Sequence, residues 1–215
     1  MKDMLSASKG ATDQAPHRPV TSPPAEEQLW RAAAYRLLAA LLRSPPDGDM
    51  LQQLRDHDQP EQRGEGPVAT ALRLLGLAVR DTHAEAISDE FHALFIGLGR
   101  GELVPYGSWY LTGFLMEQPL SLLRDDLAAL GFERQADVHE PEDHVAALCE
   151  VMSLLIYEDT PHDVQQQFFT RHLAPWLARF FADLENADNA CVYRAVARLG
   201  SAVTELETRY FTMRR

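Results

Sequence analysis

The stretch EEQLWRAAAYRLLAALLRSPP, residues 26–46, decides the fold. Leu29, Trp30, Tyr35, Leu37, Leu38, Leu41 and Leu42 recur in it at three- and four-residue spacing. That is the period of a helix with one apolar face, and Ser44-Pro45-Pro46 stops it because proline cannot continue the hydrogen-bond ladder. The same period runs on through the chain. It predicts helices at 48–57, 68–80, 84–96, 108–117 and 119–130, the last closed by Gly131 as the left-handed C′ residue. Val145, Leu148, Met152, Leu155 and Ile156 form another stripe. Phe168, Phe169, Leu173, Trp176, Phe180 and Leu184 mark a long run from Val164 to Leu184, and a final helix covers 189–210. Loops fall at 58–67 and at GLGRGELVPYGS, residues 97–108, by their glycine and proline content. No strand and no internal repeat is legible. The expectation is an all-α, single-domain bundle of about nine or ten helices over 26–215. It stands behind a mobile tail, 1–25, rich in Ser, Pro, Ala and Thr.

Composition bounds what such a bundle does. The 215 residues are 46% hydrophobic, enough for a substantial core, and carry a formal charge of −12. That field repels phosphate backbones and anionic lipid and favours basic partners, which argues against nucleic acid. No run approaches the roughly 18 apolar residues of a membrane span. The N-terminal stretch has no apolar h-region, so a cytoplasmic protein without a secretory signal is expected. Cys149 and Cys191 each stand alone in apolar helical runs and are expected as buried, reduced thiols.

The densest polar cluster is His139-Glu140-Pro141-Glu142-Asp143-His144. As a metal site it is poor. Metalloprotease histidines stand four apart on one helix face, whereas a separation of five turns the rings apart by roughly 140°. A metal-dependent hydrolase centred on His139, Asp143 and His144 stays open as the alternative, but no nucleophile is nominated. Ser108 lacks the strand–turn–helix setting of an esterase elbow. The plain structural reading has Pro141 at the first helical position, Glu142 and Asp143 in the first turn, and His144 on a stripe with Leu148 and Met152. The glycines of 97–108 follow a helix rather than a strand, which excludes the known phosphate-binding loops. They deliver Pro105, Tyr106, Trp109 and Tyr110 to one place, as core or as the wall of a groove for an apolar peptide.

Taken in order, these pieces resemble a known family. Glu90-Phe91-x-x-Leu94-Phe95-x-Gly97-x-Gly99, Val104-Pro105-Tyr106-Gly107-Ser108-x-Tyr110 and Glu140-Pro141-Glu142-Asp143-His144 look like the TorD/DmsD redox-enzyme maturation chaperones. His172-Leu173-x-Pro175-Trp176 and Tyr193-x-x-Val196-Ala197 fit the same pattern, so the likeness spans about residues 28–207. Tyr106 stands where the family often has tryptophan, and Phe91 where it often has tyrosine or tryptophan. The tail lies outside the pattern. The resemblance implies a non-catalytic chaperone without a cofactor or metal of its own. Such a chaperone binds the twin-arginine signal peptide of a molybdoenzyme precursor and delays export until the cofactor is inserted. It implies a peptide site at Phe91, Leu94, Phe95, Pro105, Tyr106, Ser108, Asp143 and His144. Glu140, Glu142 and Asp143 are then available to accept guanidinium hydrogen bonds. A monomer, or a homodimer swapped across 97–108 or 131–141, is compatible with these connections.

Overall fold

The helix Val145–Tyr157 is mostly apolar and buried nearly all round: every residue from Val145 to Ile156 except Leu154 is buried. A helix of that kind belongs at the centre of a bundle, because no face of it tolerates water. The computed structural model, which describes residues 5–7, 26–56, 65–97, 101–135 and 138–213, places it there. In chain order the elements are β1 (Leu5–Ala7), α1 (Glu26–Arg43), α2 (Gly48–Asp56), α3 (Pro67–Arg80) and α4 (Ala84–Phe91), which continues as a π-turn over His92–Ile96. Then come α5 (Gly107–Thr112), α6 (Gln118–Ala129), β2 (Phe132–Arg134) and the central helix as α7. α8 (His162–Phe168) runs into a second π-turn, Phe169–Leu173, and the chain ends with α9 (Leu177–Asn186) and α10 (Val192–Met213).

α1 lies along α7 in the most extensive contact of the molecule. Its acidic first turn and basic last turn suit the helix dipole, and Tyr35, Leu38 and Leu42 form its buried stripe. The Ser153 hydroxyl donates to the Ala32 carbonyl at 2.9 Å, which pins the two helices. α10 closes the far side against α3 and α9. Between α1 and α10 lies a buried ion pair. Arg31 Nε and Nη2 donate to the two oxygens of Glu207 at 2.6 and 2.7 Å, and Arg31 Nη1 donates to Gln28 and Gln165. The Tyr210 ring lies 3.9 Å beneath the guanidinium. Among the described residues no helix is long and apolar enough to cross a membrane.

The bundle expectation holds, with ten α-helices among the described residues, and its departures are local. Two three-residue strands exist: β1 pairs antiparallel with β2, Ser6 opposite Glu133. Strands so short show no legible alternation. The tail reading lies outside the described residues apart from this pair, as do residues 58–64 and 98–100 of the two expected loops and residue 57 at the end of the expected helix 48–57. Leu29 and Trp30, counted on the α1 stripe, are exposed; Arg31 occupies the buried position, held by Glu207. The run 108–117 ends early, at Thr112, because Gly113 closes α5 with a left-handed φ of 83°. The run 164–184 is broken by the second π-turn and by Ala174–Trp176, which a single period cannot express. Cys149 is buried as expected, its thiol pushed up to about 12 by burial, whereas Cys191 is exposed.

Candidate functional site

The start of α7 does not obey the sequence reading, and the difference builds the site. Pro141 is not the first helical residue; residues 141–144 form a turn, and α7 begins at Val145 with His144 as its N-cap. The His144 Nδ1 accepts the Ala146 N–H at 3.1 Å, the role usually played by a serine or aspartate oxygen. Burial, with Arg43 adding to it, lowers the His144 pKa to about 3. The ring is therefore neutral at physiological pH, and its lone pair is committed to the helix.

Tertiary contacts enforce this late start. Tyr106 and His144 form an antiparallel β-bridge, with their rings edge to face at 5.1 Å. Around it, Gly107 N–H donates to the Asp143 carbonyl at 2.9 Å and Val145 N–H to the Pro105 carbonyl at 2.9 Å. The Asp143 side chain then accepts the Ser108 N–H on Oδ2 at 2.8 Å. The acid thus bonds the first turn of α5, and it stands one residue ahead of the α7 cap, where the helix dipole favours negative charge. The Tyr106 hydroxyl donates to Glu140; burial first, then this bond, raise its pKa, so it remains a donor.

Against this frame lies a cavity of about 150 Å³, with Ser108, Asp143, Leu111, Leu122, His172 and Trp176 in its wall. Two of these residues each carry a buried polar atom, Asp143 Oδ1 and Ser108 Oγ, that has no hydrogen-bond partner among the described residues. An unsatisfied buried acceptor costs about 1–3 kcal/mol, so it marks a place where a ligand's donor is worth more than usual. The far wall is tied by hydrogen bonds. His172 Nε2 lies 2.6 Å from Asp126, which also takes Arg171, and Trp176 Nε1 donates to the His172 carbonyl at 2.7 Å. Gly107 sits on the Trp176 ring, close enough that a Cβ would stand 3.2 Å from Nε1.

The structure therefore brings Pro105, Tyr106, Ser108, Glu140, Glu142, Asp143 and His144 together. It places Phe91, Leu94 and Phe95 elsewhere. Phe91 and Leu94 are buried, and Phe91, Phe95 and Tyr193 form one aromatic cluster with centroids 5.0–5.9 Å apart. Glu90, one residue before, caps α10 by accepting from Cys191, Val192 and Tyr193 N–H at 2.7–3.1 Å. Gly101 packs so tightly on this π-turn that a Cβ would meet the Leu94 carbonyl oxygen at 2.6 Å. That motif anchors the loop that delivers Pro105–Ser108, and none of its three apolar residues lines the cavity. Of the three carboxylates, Glu142 is already paired with Arg124 at 2.8 Å and Arg134 at 3.7 Å, and Glu140 has the tyrosine. Only Asp143 leaves a buried oxygen unpaired. His139 is exposed and outside the cluster, and among the described residues no group of three His, Cys, Asp or Glu is placed to hold a metal. Leu111, Leu122, His172 and Trp176 escaped the site reading. Gly113, inside the run 108–117, was the signal that α5 ends there and that residues 114–116 leave the core.

Comparison with known proteins agrees with this architecture. Residues 61–182 match the family model described as nitrate reductase delta subunit. The chaperone protein TorD of Shewanella loihica is 27% identical over 190 residues, covering 79% of this chain and 87% of that protein. TorD of Vibrio atlanticus is 27% identical over 146 residues, 62% of this chain and 68% of its own length. A crystal structure described as a redox enzyme maturation protein of Archaeoglobus fulgidus covers 92% of this chain and 99% of its own, with a TM-score of 0.55. At 18% identity that likeness is one of fold.

Proposed function

The chain belongs to the nitrate reductase delta subunit family, and from that premise we propose that it binds the twin-arginine signal peptide, or the apo form, of a molybdenum-cofactor oxidoreductase of the DMSO/TMAO-reductase type. It is a redox-enzyme maturation chaperone of the TorD/DmsD kind, not an enzyme. Held in the cytoplasm, the client receives its cofactor before export by the Tat route. The observation that carries the reading is Asp143: a buried, cavity-lining carboxylate that spends one oxygen on the Ser108 N–H and leaves the other without a partner among the described residues.

An arginine guanidinium is the donor that suits such an acceptor, because its planar fork and weak hydration lower the cost of entering a half-dry site. The charge of −12 draws the basic end of a signal peptide toward the protein from a distance. A disordered peptide loses entropy on binding, so the affinity is moderate and release is possible, as a chaperone requires. The test is titration of the purified full chain with twin-arginine signal peptides of its own organism's molybdoenzymes, alongside Arg-to-Ala peptides. Binding that depends on the arginines supports the reading. Equal binding of the Arg-to-Ala peptides, or none by any peptide, removes it.

A further inference from the structure

We infer that the turn between α5 and α6, with Leu122 of α6, is the ledge on which the apolar stretch of that signal peptide lies. The inference rests on the signal-peptide reading and adds a surface to it. Phe114 and Met116 are 68% and 73% exposed, Leu111 and Leu115 are exposed close by in sequence, and Leu122 is exposed six residues beyond Met116, in α6. Among the other described residues the exposed apolar side chains come singly or in pairs along the sequence, which any protein surface tolerates. Apolar residues crowded into one surface turn mark an interaction site.

The turn is built rather than slack. Gly113 N–H donates to the Trp109 carbonyl at 2.8 Å, and the Thr112 hydroxyl donates to the Ser108 carbonyl at 2.8 Å while accepting the Phe114 N–H at 3.2 Å. Met116, a non-glycine residue, is held at a left-handed φ of 60°. Strain of this kind persists where the surroundings over-determine it, and it concentrates at ligand clamps. The hydroxyl that fixes the turn therefore bonds the same residue, Ser108, whose side chain stands in the cavity wall.

Continuity identifies the occupant. Leu111 and Leu122 belong both to the ledge and to the wall that contains Asp143 and Ser108. A ligand that satisfies the whole surface carries a hydrogen-bond donor with positive charge for Asp143 and apolar residues next to it in the chain. A twin-arginine signal has that order. A second copy of this chain fits worse, since two bodies of charge −12 repel.

The test uses the full chain, its Phe114→Ser/Met116→Ser variant and two peptides. One is the arginine-dependent signal peptide identified by titration; the other has its apolar residues replaced by serine. Both substitutions lie at exposed positions, and unchanged circular dichroism confirms that the variant is folded. The wild type is expected to bind the native peptide at least about tenfold more tightly than the serine peptide. The variant is expected to bind both peptides alike, at the weaker level, because the two changes remove one shared contact. If the variant keeps the full preference for the native peptide, the ledge is overturned while arginine-dependent binding stands. If the variant only dissociates a wild-type dimer, with peptide affinities unchanged, the ledge belongs to a second copy and the inference fails. If the wild type binds neither peptide, the signal-peptide reading and the ledge fall together.

Discussion

Among the places where this protein buries charge, two do so in opposite ways. Between α1 and α10, Arg31 and Glu207 are each 1% exposed, and all three guanidinium nitrogens and both carboxylate oxygens are engaged. At the start of α7, Asp143 is nearly as buried at 3%, yet one of its oxygens and the neighbouring Ser108 hydroxyl have no partner among the described residues. A closed network returns the desolvation cost within the fold; an open one leaves part of it to be relieved by a ligand. The first ties the bundle together. The second is suited to recognition, and each can be broken without breaking the other.

The largest effect is expected from the closed network. Glu207→Ala leaves the Arg31 charge buried without its counter-ion, which should destabilise the fold by about 3–5 kcal/mol in urea unfolding. Peptide affinity of the folded fraction should be unchanged. A variant that loses affinity at unchanged stability would show that the two regions are not independent. Next comes pH. The His144 pKa of about 3 in the folded state lies below the ordinary value near 6.5, so between these values the unfolded chain binds a proton that the folded chain refuses. Its contribution is fully present above about pH 6.5 and falls as the pH drops, by up to about 1.4 kcal/mol per unit. His144→Asn keeps a good N-cap and removes the titration, so its stability should vary less between pH 7 and 5 than that of the wild type. Parallel curves would mean that folding does not lower the His144 pKa.

The same contrast explains how much the sequence disclosed. The closed network sits on helices whose stripes were plain, and Tyr35, Leu38 and Leu42 fell where the period put them. What periodicity cannot express is a helix end set from outside. Pro141-Glu142-Asp143 looks like a first turn, but the Tyr106–His144 bridge and the Ser108 N–H hold those residues out of the helix. The family likeness named Asp143, Ser108 and Tyr106 without showing why. It also named Leu94, which is buried, and Phe91, whose packing on Tyr193 of α10 no spacing could reveal. Phe114 and Met116 failed differently: they fell inside the expected helix 108–117, and the glycine between Thr112 and Phe114 was the signal against it.

The open network gives the two smaller effects, and these separate recognition from structure. Asp143→Asn keeps a side-chain oxygen for the Ser108 N–H but removes the charge, so stability should change by less than about 1 kcal/mol. Affinity for an arginine-dependent peptide should nevertheless fall by about tenfold, since bonds to charged groups are worth roughly 1.5–3 kcal/mol. Equal affinity by calorimetry would take Asp143 out of the site. Ser108→Ala is the finest probe. In an ordinary core, deleting a hydroxyl orphans its partner and costs stability; here the hydroxyl has no partner to orphan. Thermal unfolding should therefore show the variant as stable as the wild type or slightly more so. Peptide affinity should drop a few-fold if the hydroxyl serves the ligand, the loss expected for a neutral hydrogen bond of about 1 kcal/mol. A clear loss of stability would mean that Ser108 Oγ already has a partner inside the fold, and the contrast between the two buried charges would then shrink to Asp143 alone.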